Sequence, residues 1–441
     1  MNETTSERIA RGKALRADTP RSAHGRWAVD EPGRDPLSLL EAANRNRVAS
    51  LIPVRHARMA VSPFAFYRGA AAIMAADLAR TPSTGIMVQT AGDAHLANFG
   101  GYATPERNLV FDINDFDETL PGPWEWDLKR LVTSAVLVGR GNGMTKTQCG
   151  DAVRATVASY REHMRDFAAR APLDVWYARI DENILIDSVK TAPERRSLSR
   201  EAKQAQRHTA EALVPKITTV ENGRPRFIDD PPLFSHLPPE EHPEEFATDV
   251  LERYRATLRV DVAALFDRYR FADVARKVVG VGSVGTRCEV LLLLTDDDQP
   301  LLLQVKEAMT SVLEPYLSVS SFENHGERVI AGQRLMQAAS DIFLGWTRND
   351  EGNDFYIRQL RDMKLSADLS TFASSDLETY AAVCGWALAR AHARSGDPAV
   401  IAGYLGRGDA FDEALVAFAQ TYADQTERDY ERFLTSIGGQ A

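Results

Sequence analysis

The sequence predicts a two-lobed α+β protein, and three stretches carry that prediction. An Ala-rich helical run at 63–78 leads into short strands and a loop dense in Gly, Asp and Asn. A Val- and Leu-rich segment at 278–306 folds back on itself through Asp296-Asp297-Asp298-Gln299-Pro300, and amphipathic helices fill 376–394 and 411–433. At 441 residues, 44% hydrophobic and 26% charged, the chain is long enough for two or three domains and a large core.

The element order divides the chain into five parts. Residues 1–60 form an N-terminal arm, of which 1–48 are rich in Arg, Asp, Ser and Pro with little periodicity. Residues 61–175 hold the helical run ending at Thr81-Pro82, a short strand at 86–89, the Gly/Asp/Asn loop, a hairpin arm at 108–113 and a helix at 124–138. Residues 176–270 are charged and helical, interrupted by a Pro-rich loop at 229–243. The strand-rich part spans 271–365, and helices at 366–441 complete the larger lobe.

Charge and cysteine usage exclude several function classes. The net charge is −10 and no basic run is dense enough to follow a phosphate backbone, so nucleic acid is not the expected partner. An acidic balance favours cationic or neutral small substrates. Cys149, Cys288 and Cys384 are far apart, which fits a reducing compartment and neither a disulfide framework nor a zinc site. The first 21 residues lack the apolar core of a secretory signal, and no apolar run reaches membrane-spanning length, so the expected location is cytoplasmic, without a membrane partner.

The densest chemistry lies in Gly92-Asp93-Ala94-His95-Leu96-Ala97-Asn98 and in Asn114-Asp115-Phe116-Asp117-Glu118. Phosphoryl transfer needs a carboxylate facing an acceptor hydroxyl and hard oxygen ligands for magnesium. Asp93 with Asn98 five positions on, then Asp115 after a hairpin, supplies that set, with Asp93 as base and Asn98 and Asp115 as metal ligands. Asp112 and Asp117 rival Asp115. Gly, Asp and Asn also cluster wherever chains turn, but the two segments together favour the catalytic reading. His95 either contacts phosphate or holds the loop. A hydrolytic metal site from His95, Asp93 and Asp112 is the alternative chemistry, weakened by the lack of a second histidine at helical spacing.

Gly280-Val281-Gly282-Ser283-Val284-Gly285 is a full G-x-G-x-x-G. A dinucleotide fold would open a helix at the last glycine, whereas 286–294 continue as a strand and turn back. A hairpin over phosphates, with Gly280, Gly282, Ser283 and Gly285 as its cradle and Lys306 on the next strand paired to phosphate, explains that context. Glu327 at a helix start is the expected carboxylate partner of Lys306, ahead of Glu314, whose Pro315 favours a turn. The strand at 355–360 would lead out of this lobe beside an adenine.

These residues resemble the protein-kinase-like superfamily, especially its aminoglycoside and choline phosphotransferase branch, whose catalytic loop G-D-x-H-x-x-N is matched by Gly92, Asp93, His95 and Asn98. The resemblance implies that Asp127, in Gly122-Pro123-Trp124-Glu125-Trp126-Asp127-Leu128, supports the catalytic loop. The chain departs from that pattern in carrying Thr90-Ala91 where many relatives place a histidine. Its glycine loop and Lys306 also follow the catalytic Asp by about 190 residues instead of preceding it. A circularly permuted kinase-like fold is therefore expected, with the segment 386–393 standing for the helix before the catalytic loop. Most of the chain also looks like a bacterial family known as domain of unknown function 2252, through SPFAFYRG, GDAHLANFG, NDFDET and WEWDLKR. The function implied is ATP- and magnesium-dependent phosphoryl transfer to a small hydroxylated acceptor. Alternatives are adenylyl transfer, a nucleotide-binding pseudokinase and a metal-dependent hydrolase.

Overall fold

Capping residues decide where the helices begin. Thr145 and Gln148 form a capping box that starts Lys146–Ala169, Asp397 caps Pro398–Leu405, and the Asn324 side chain accepts the first N–H groups of His325–Met336. The computed structural model describes residues 3–27, 33–189, 192–207, 209–221, 223–238, 243–278, 280, 282, 284–360 and 363–438. It is a mixed α+β protein, and none of its described helices is long and apolar enough to cross a membrane.

The helical body gathers chain from both sides of the strand-rich segment. Helices Trp124–Gly141, Lys146–Ala169, Ser374–Ser395 and Ala410–Gly438 pack on one another around a core that includes Trp124, Tyr160, Leu388 and Phe411. Trp124–Gly141 is buried on every side rather than amphipathic, and Glu125, Asp127, Lys129 and Arg130 are buried along with its apolar residues. Four buried charges in one helix require partners, and the site below supplies several of them.

The aperiodic N-terminal stretch is an ordered wrap. Thr4 and Glu7 cap Thr5–Ala14, and Asp35 caps Pro36–Asn44. Gly12 and Gly403 let Thr5–Ala14 and Pro398–Leu405 meet backbone to backbone, since a Cβ on Gly12 would stand 2.0 Å from Val400 O and one on Gly403 2.2 Å from Ile9 O. Apolar periodicity is missing because small residues and arginines make this contact: Arg16 and Arg21 donate to the carbonyls of Gly403, Tyr404 and Leu405.

The second body is a six-stranded antiparallel sheet. Its order is Gly345–Arg348, Asp354–Gln359, Pro300–Glu307, Cys288–Leu294, Arg270–Lys277, Phe234–Ser235. Helices Pro243–Arg255 and Val260–Phe266 cover one face, and Ala210–Ile217 with Phe227 covers the other. With both faces covered, Cys288–Leu294 is buried at all seven positions, which is why it reads as a continuous apolar run instead of alternating. Its partner strand is Arg270–Lys277, not the stretch after 278 that the Val content suggests. Its charges hid it: Arg270, Arg276 and Lys277 lie toward the ends, and Asp273 is buried in the middle beside Val274 and Ala275.

His24 ties the N-terminal wrap to the body. The imidazole is fully buried, its Nε2 lies 2.8 Å from Tyr404 Oη, and burial holds its pKa down at about 3. An unfolded chain binds a proton at His24 below pH ~6.5 that the folded chain refuses. Stability is therefore intact above that pH and falls as pH drops toward the folded value. Taking the protein from pH 7 to pH 5 is expected to cost up to about 2 kcal/mol through this residue. In His24→Gln, denaturant titrations at the two pH values should differ by correspondingly less.

Candidate functional site

Two short strand pairs deliver the acidic loops to one place. Met87–Thr90 pairs antiparallel with Leu120–Pro123, and Phe99–Ala103 pairs with Leu109–Ile113. The Asn114 N–H donates to Asn98 O at 2.8 Å, closing the gap between the two motifs. Gly92 has φ +79°, and a Cβ there would stand 2.4 Å from Glu118 O, so glycine alone lets the first loop turn against the second.

Asp127 anchors the first loop from the start of the central helix. Its carboxylate accepts the Ala91 N–H at 2.7 Å and the Gly92 N–H at 2.9 Å, and lies 3.2 Å from His392 Nε2, whose other nitrogen faces Tyr160 Oη. His392 sits on Ser374–Ser395, within the segment the resemblance had placed before this loop. The loop after Thr90-Ala91, where a histidine was missing in sequence, is therefore held by the Asp127 carboxylate, which is itself backed by His392 from a distant helix.

Asp93 faces the cavity with 17% of its side chain exposed. Arg130 Nε donates to its Oδ1 at 2.6 Å, and the same guanidinium donates to Tyr67 O and lies 4.1 Å from the Tyr67 ring centroid. Burial outweighs the pull of Arg130 and lifts the Asp93 carboxyl to about 7. His95 is buried 3.7 Å from Asp93, and burial keeps its pKa far below the usual imidazole value, so it is neutral. The Asn98 amide donates to Asp93 O at 2.7 Å, which leaves its oxygen available as an acceptor.

Lys306, on Pro300–Glu307, reaches the second acidic loop. Its ammonium is 2% exposed, hydrogen-bonds Asp117 and lies 3.7 Å from Asp115. Tyr356 Oη donates to the other Asp117 oxygen at 2.7 Å. Burial opposes ionisation of Asp117, yet Lys306 and Tyr356 hold its pKa below the usual carboxylate value. Asp115 is pushed up by burial and by its neighbour Asp117, and a third of its side chain remains open to the cavity.

Glu327, expected to position Lys306, makes no ion pair with it among the described residues. Asp117 takes that place, because the second loop lies against the lysine strand. The helix His325–Met336 contributes Arg328 instead, which donates to Thr119 O at 2.7 Å, Asp117 O at 2.9 Å and Met309 O at 2.8 Å. A buried guanidinium that clamps three carbonyls fixes the loop from behind. Arg130 and Arg328 were not singled out as site residues from sequence, and Asp117 was weighed only as a rival metal ligand, not as the partner of Lys306. Each arginine is a charge within a buried helix, and that was the available signal.

The glycine loop joins Arg270–Lys277 to Cys288–Leu294 above this cluster; Ser283 lies outside the described residues. Gly280 and Gly282 line a cavity of about 1080 Å³ together with Asp93, His95, Asn98, Asp115 and Lys306, whereas Gly285 does not. The described lining has eight Arg and Lys side chains against three Asp, so on a chain of net charge −10 this cavity has a predominantly cationic wall. Asp112 is elsewhere, receiving Arg390 at 2.8 and 2.7 Å on its two oxygens. Among the described residues no three His, Cys, Asp or Glu side chains are grouped to hold a metal.

A family profile described as an uncharacterized protein conserved in bacteria, DUF2252, matches residues 47–436. The chain belongs to this family. Searches of curated proteins and of solved structures find no match. The DUF2252 region contains every residue placed in the site above, while the helix Thr5–Ala14 precedes it.

Removing the Asp127 anchor should be costly in this DUF2252 protein. Asp127→Ala strands two buried N–H donors and a histidine, an expected loss on the order of 3–5 kcal/mol, while Asp127→Asn keeps one acceptor and should lose roughly half. Urea denaturation of the two variants checks the ranking.

Proposed function

We propose that the protein is an ATP- and magnesium-dependent phosphotransferase with a circularly permuted kinase-like fold. One observation carries the reading: Lys306 and Asp115, 191 positions apart in the chain, lie 3.7 Å apart at the edge of a cation-lined cavity beneath the glycine loop. The order of the sheet supports it. A glycine-turn hairpin, a lysine strand, a helix and an outgoing strand follow one another as the resemblance implies. So does the split helical core, to which residues before 181 and after 368 both contribute.

The residues present fit a magnesium ion with few protein ligands. Asn98 offers an amide oxygen and Asp115 a partly exposed carboxylate, and magnesium in phosphate sites is typically held by one or two such groups. When bound, the ion would neutralise charge on the phosphate oxygens. Lys306 would hold phosphate beneath Gly280 and Gly282, and in the absence of nucleotide Asp115 and Asp117 satisfy its charge. Asp93, fixed by Arg130, would take the proton of the acceptor hydroxyl as the acceptor oxygen bonds the γ-phosphorus. The bond from that phosphorus to the bridging oxygen then breaks, and its electron pair leaves with ADP.

The cationic lining alters the expected substrate. Overall acidity favoured cationic or neutral molecules, but Arg207, just before the helix Ala210–Ile217, and Lys216, in its last turn, add to the positive wall that includes Lys306. That part of the chain would form the acceptor side, and an anionic hydroxylated compound suits it best. Asp112 is committed to Arg390, which removes the third ligand of the alternative hydrolytic site.

Lys306→Ala is expected to abolish the thermal stabilisation given by Mg·ATP, while Lys13→Ala on the surface keeps it. Asp93→Asn should still bind Mg·ATP but lose transfer of γ-label to small molecules of a cell extract by about 100-fold or more. Label transferred from α- but not γ-labelled ATP would replace phosphoryl with adenylyl transfer.

A further inference from the structure

Three arginines of the N-terminal part of the family region meet the glycine loop, and they are used differently. Arg47 Nη1 donates to Val284 O at 2.7 Å. Arg55 donates to Gly282 O at 2.7 Å and to Gly69 O at 2.6 Å. Both guanidiniums donate to backbone carbonyls, so they hold the loop in place. Val48 adds a backbone bond to Gly285 O at 2.7 Å.

Arg68, at the end of the helix Pro63–Gly69, is the exception. It makes no hydrogen bond or ion pair among the described residues, and its buried Nε has no acceptor. The loop passes directly over it: a Cβ on Gly282 would stand 3.4 Å from Arg68 O, and one on Gly280 4.0 Å from Arg68 Nη2. The side chain lines the same cavity as Asp93, Asn98, Asp115 and Lys306. Burial disfavours its charge, and the carboxylates that support it are Asp93 and Asp115, the base and the metal ligand of the proposed reaction. A guanidinium serving only the fold would take a carbonyl, as its two neighbours do. A half-buried guanidinium with a buried, unspent Nε, in the field of the two carboxylates assigned to the reaction, calls for an anionic ligand with several acceptor oxygens.

We propose that Arg68 contacts the phosphoryl group that is transferred. The role rests on the phosphotransferase reading and adds to it a second cation, carried by the helix Pro63–Gly69 instead of the lysine strand. Lys306 serves the phosphates that remain with the leaving nucleotide, and Arg68 serves the equatorial oxygens of the group in flight. Charge builds on those oxygens while the acceptor oxygen–phosphorus bond forms, the bond to the bridging oxygen breaks, and the hydroxyl proton passes to Asp93. Because Arg47, Arg55 and Arg68 belong to one short stretch of chain, seating the glycine loop also seats this cation.

Calorimetric titration with Mg·ATP and with Mg·ADP separates the two cations. In Arg68→Ala, affinity for Mg·ATP should fall about tenfold to a hundredfold, with affinity for Mg·ADP close to that of the unmodified protein. Arg68→Lys should recover part of the loss, and Lys306→Ala should lose both ligands. Should Arg68→Ala fail to fold, the same ATP-to-ADP ratio is read in Arg68→Gln, which keeps most of the side-chain volume. Equal loss of the two ligands, or no loss of either, overturns the role of Arg68 while leaving the nucleotide site standing. Failure of the unmodified protein to bind either ligand overturns the nucleotide reading and Arg68's role with it.

Discussion

The buried ammonium of Lys306 is the constraint around which the site is arranged. A lysine 2% exposed cannot stay charged without anionic partners, and the loop bearing Asp115 and Asp117 supplies them. That requirement joins a strand of the sheet to a loop of the helical body. Tyr356 bonds the same carboxylate, Arg358 donates to Asn114 O, and Arg328 clamps the backbone of the loop at Asp117 and Thr119. Four side chains from the sheet side thus converge on the segment 114–119. Such density is what holds two carboxylates close together at a cavity wall, where they would otherwise repel.

On the other side, Asp93 depends on a different set of charges. Arg130 is paired with it and Asp127 anchors its loop, both from the one helix Trp124–Gly141. That helix is buried along most of its length, so its buried charges must be met by neighbouring groups, among them the loops they support. Packing and chemistry are coupled here: the helix that forms the centre of the core also sets the carboxylate facing the cavity. The described part of the glycine loop is held by the N-terminal arginines through carbonyl contacts.

Much of this was legible locally. The strand at 86–89, the hairpin arm at 108–113 and the start of the helix at Trp124 appear within a residue or two of where local pattern put them, because the signals that set them lie within a few neighbouring residues. The strand Arg270–Lys277 was not legible, since its charged ends mask a buried middle. The N-terminal helices were not legible either, because arginine–carbonyl bonds and close glycine contacts hold them and leave no apolar stripe. Glu327 illustrates a third kind of miss. A carboxylate one turn into a helix looks suited to a lysine, but which carboxylate reaches Lys306 depends on how two bodies dock, and Asp117 lies nearer.

By itself the sequence determined the chemical inventory: an Asp/His/Asn loop, an acidic loop, a glycine hairpin and a lysine strand, with an α+β texture and membership of one bacterial family. Residue type and spacing act over a few positions, and these features are short. Only the tertiary structure decided that the acidic loop and the lysine strand meet. It also made Asp117 the lysine's partner, gave an acidic chain a cationic cavity, and left Arg68 with donors unspent. Those facts depend on long-range docking, in which the cost of burying each charge selects the partner that the fold brings within reach.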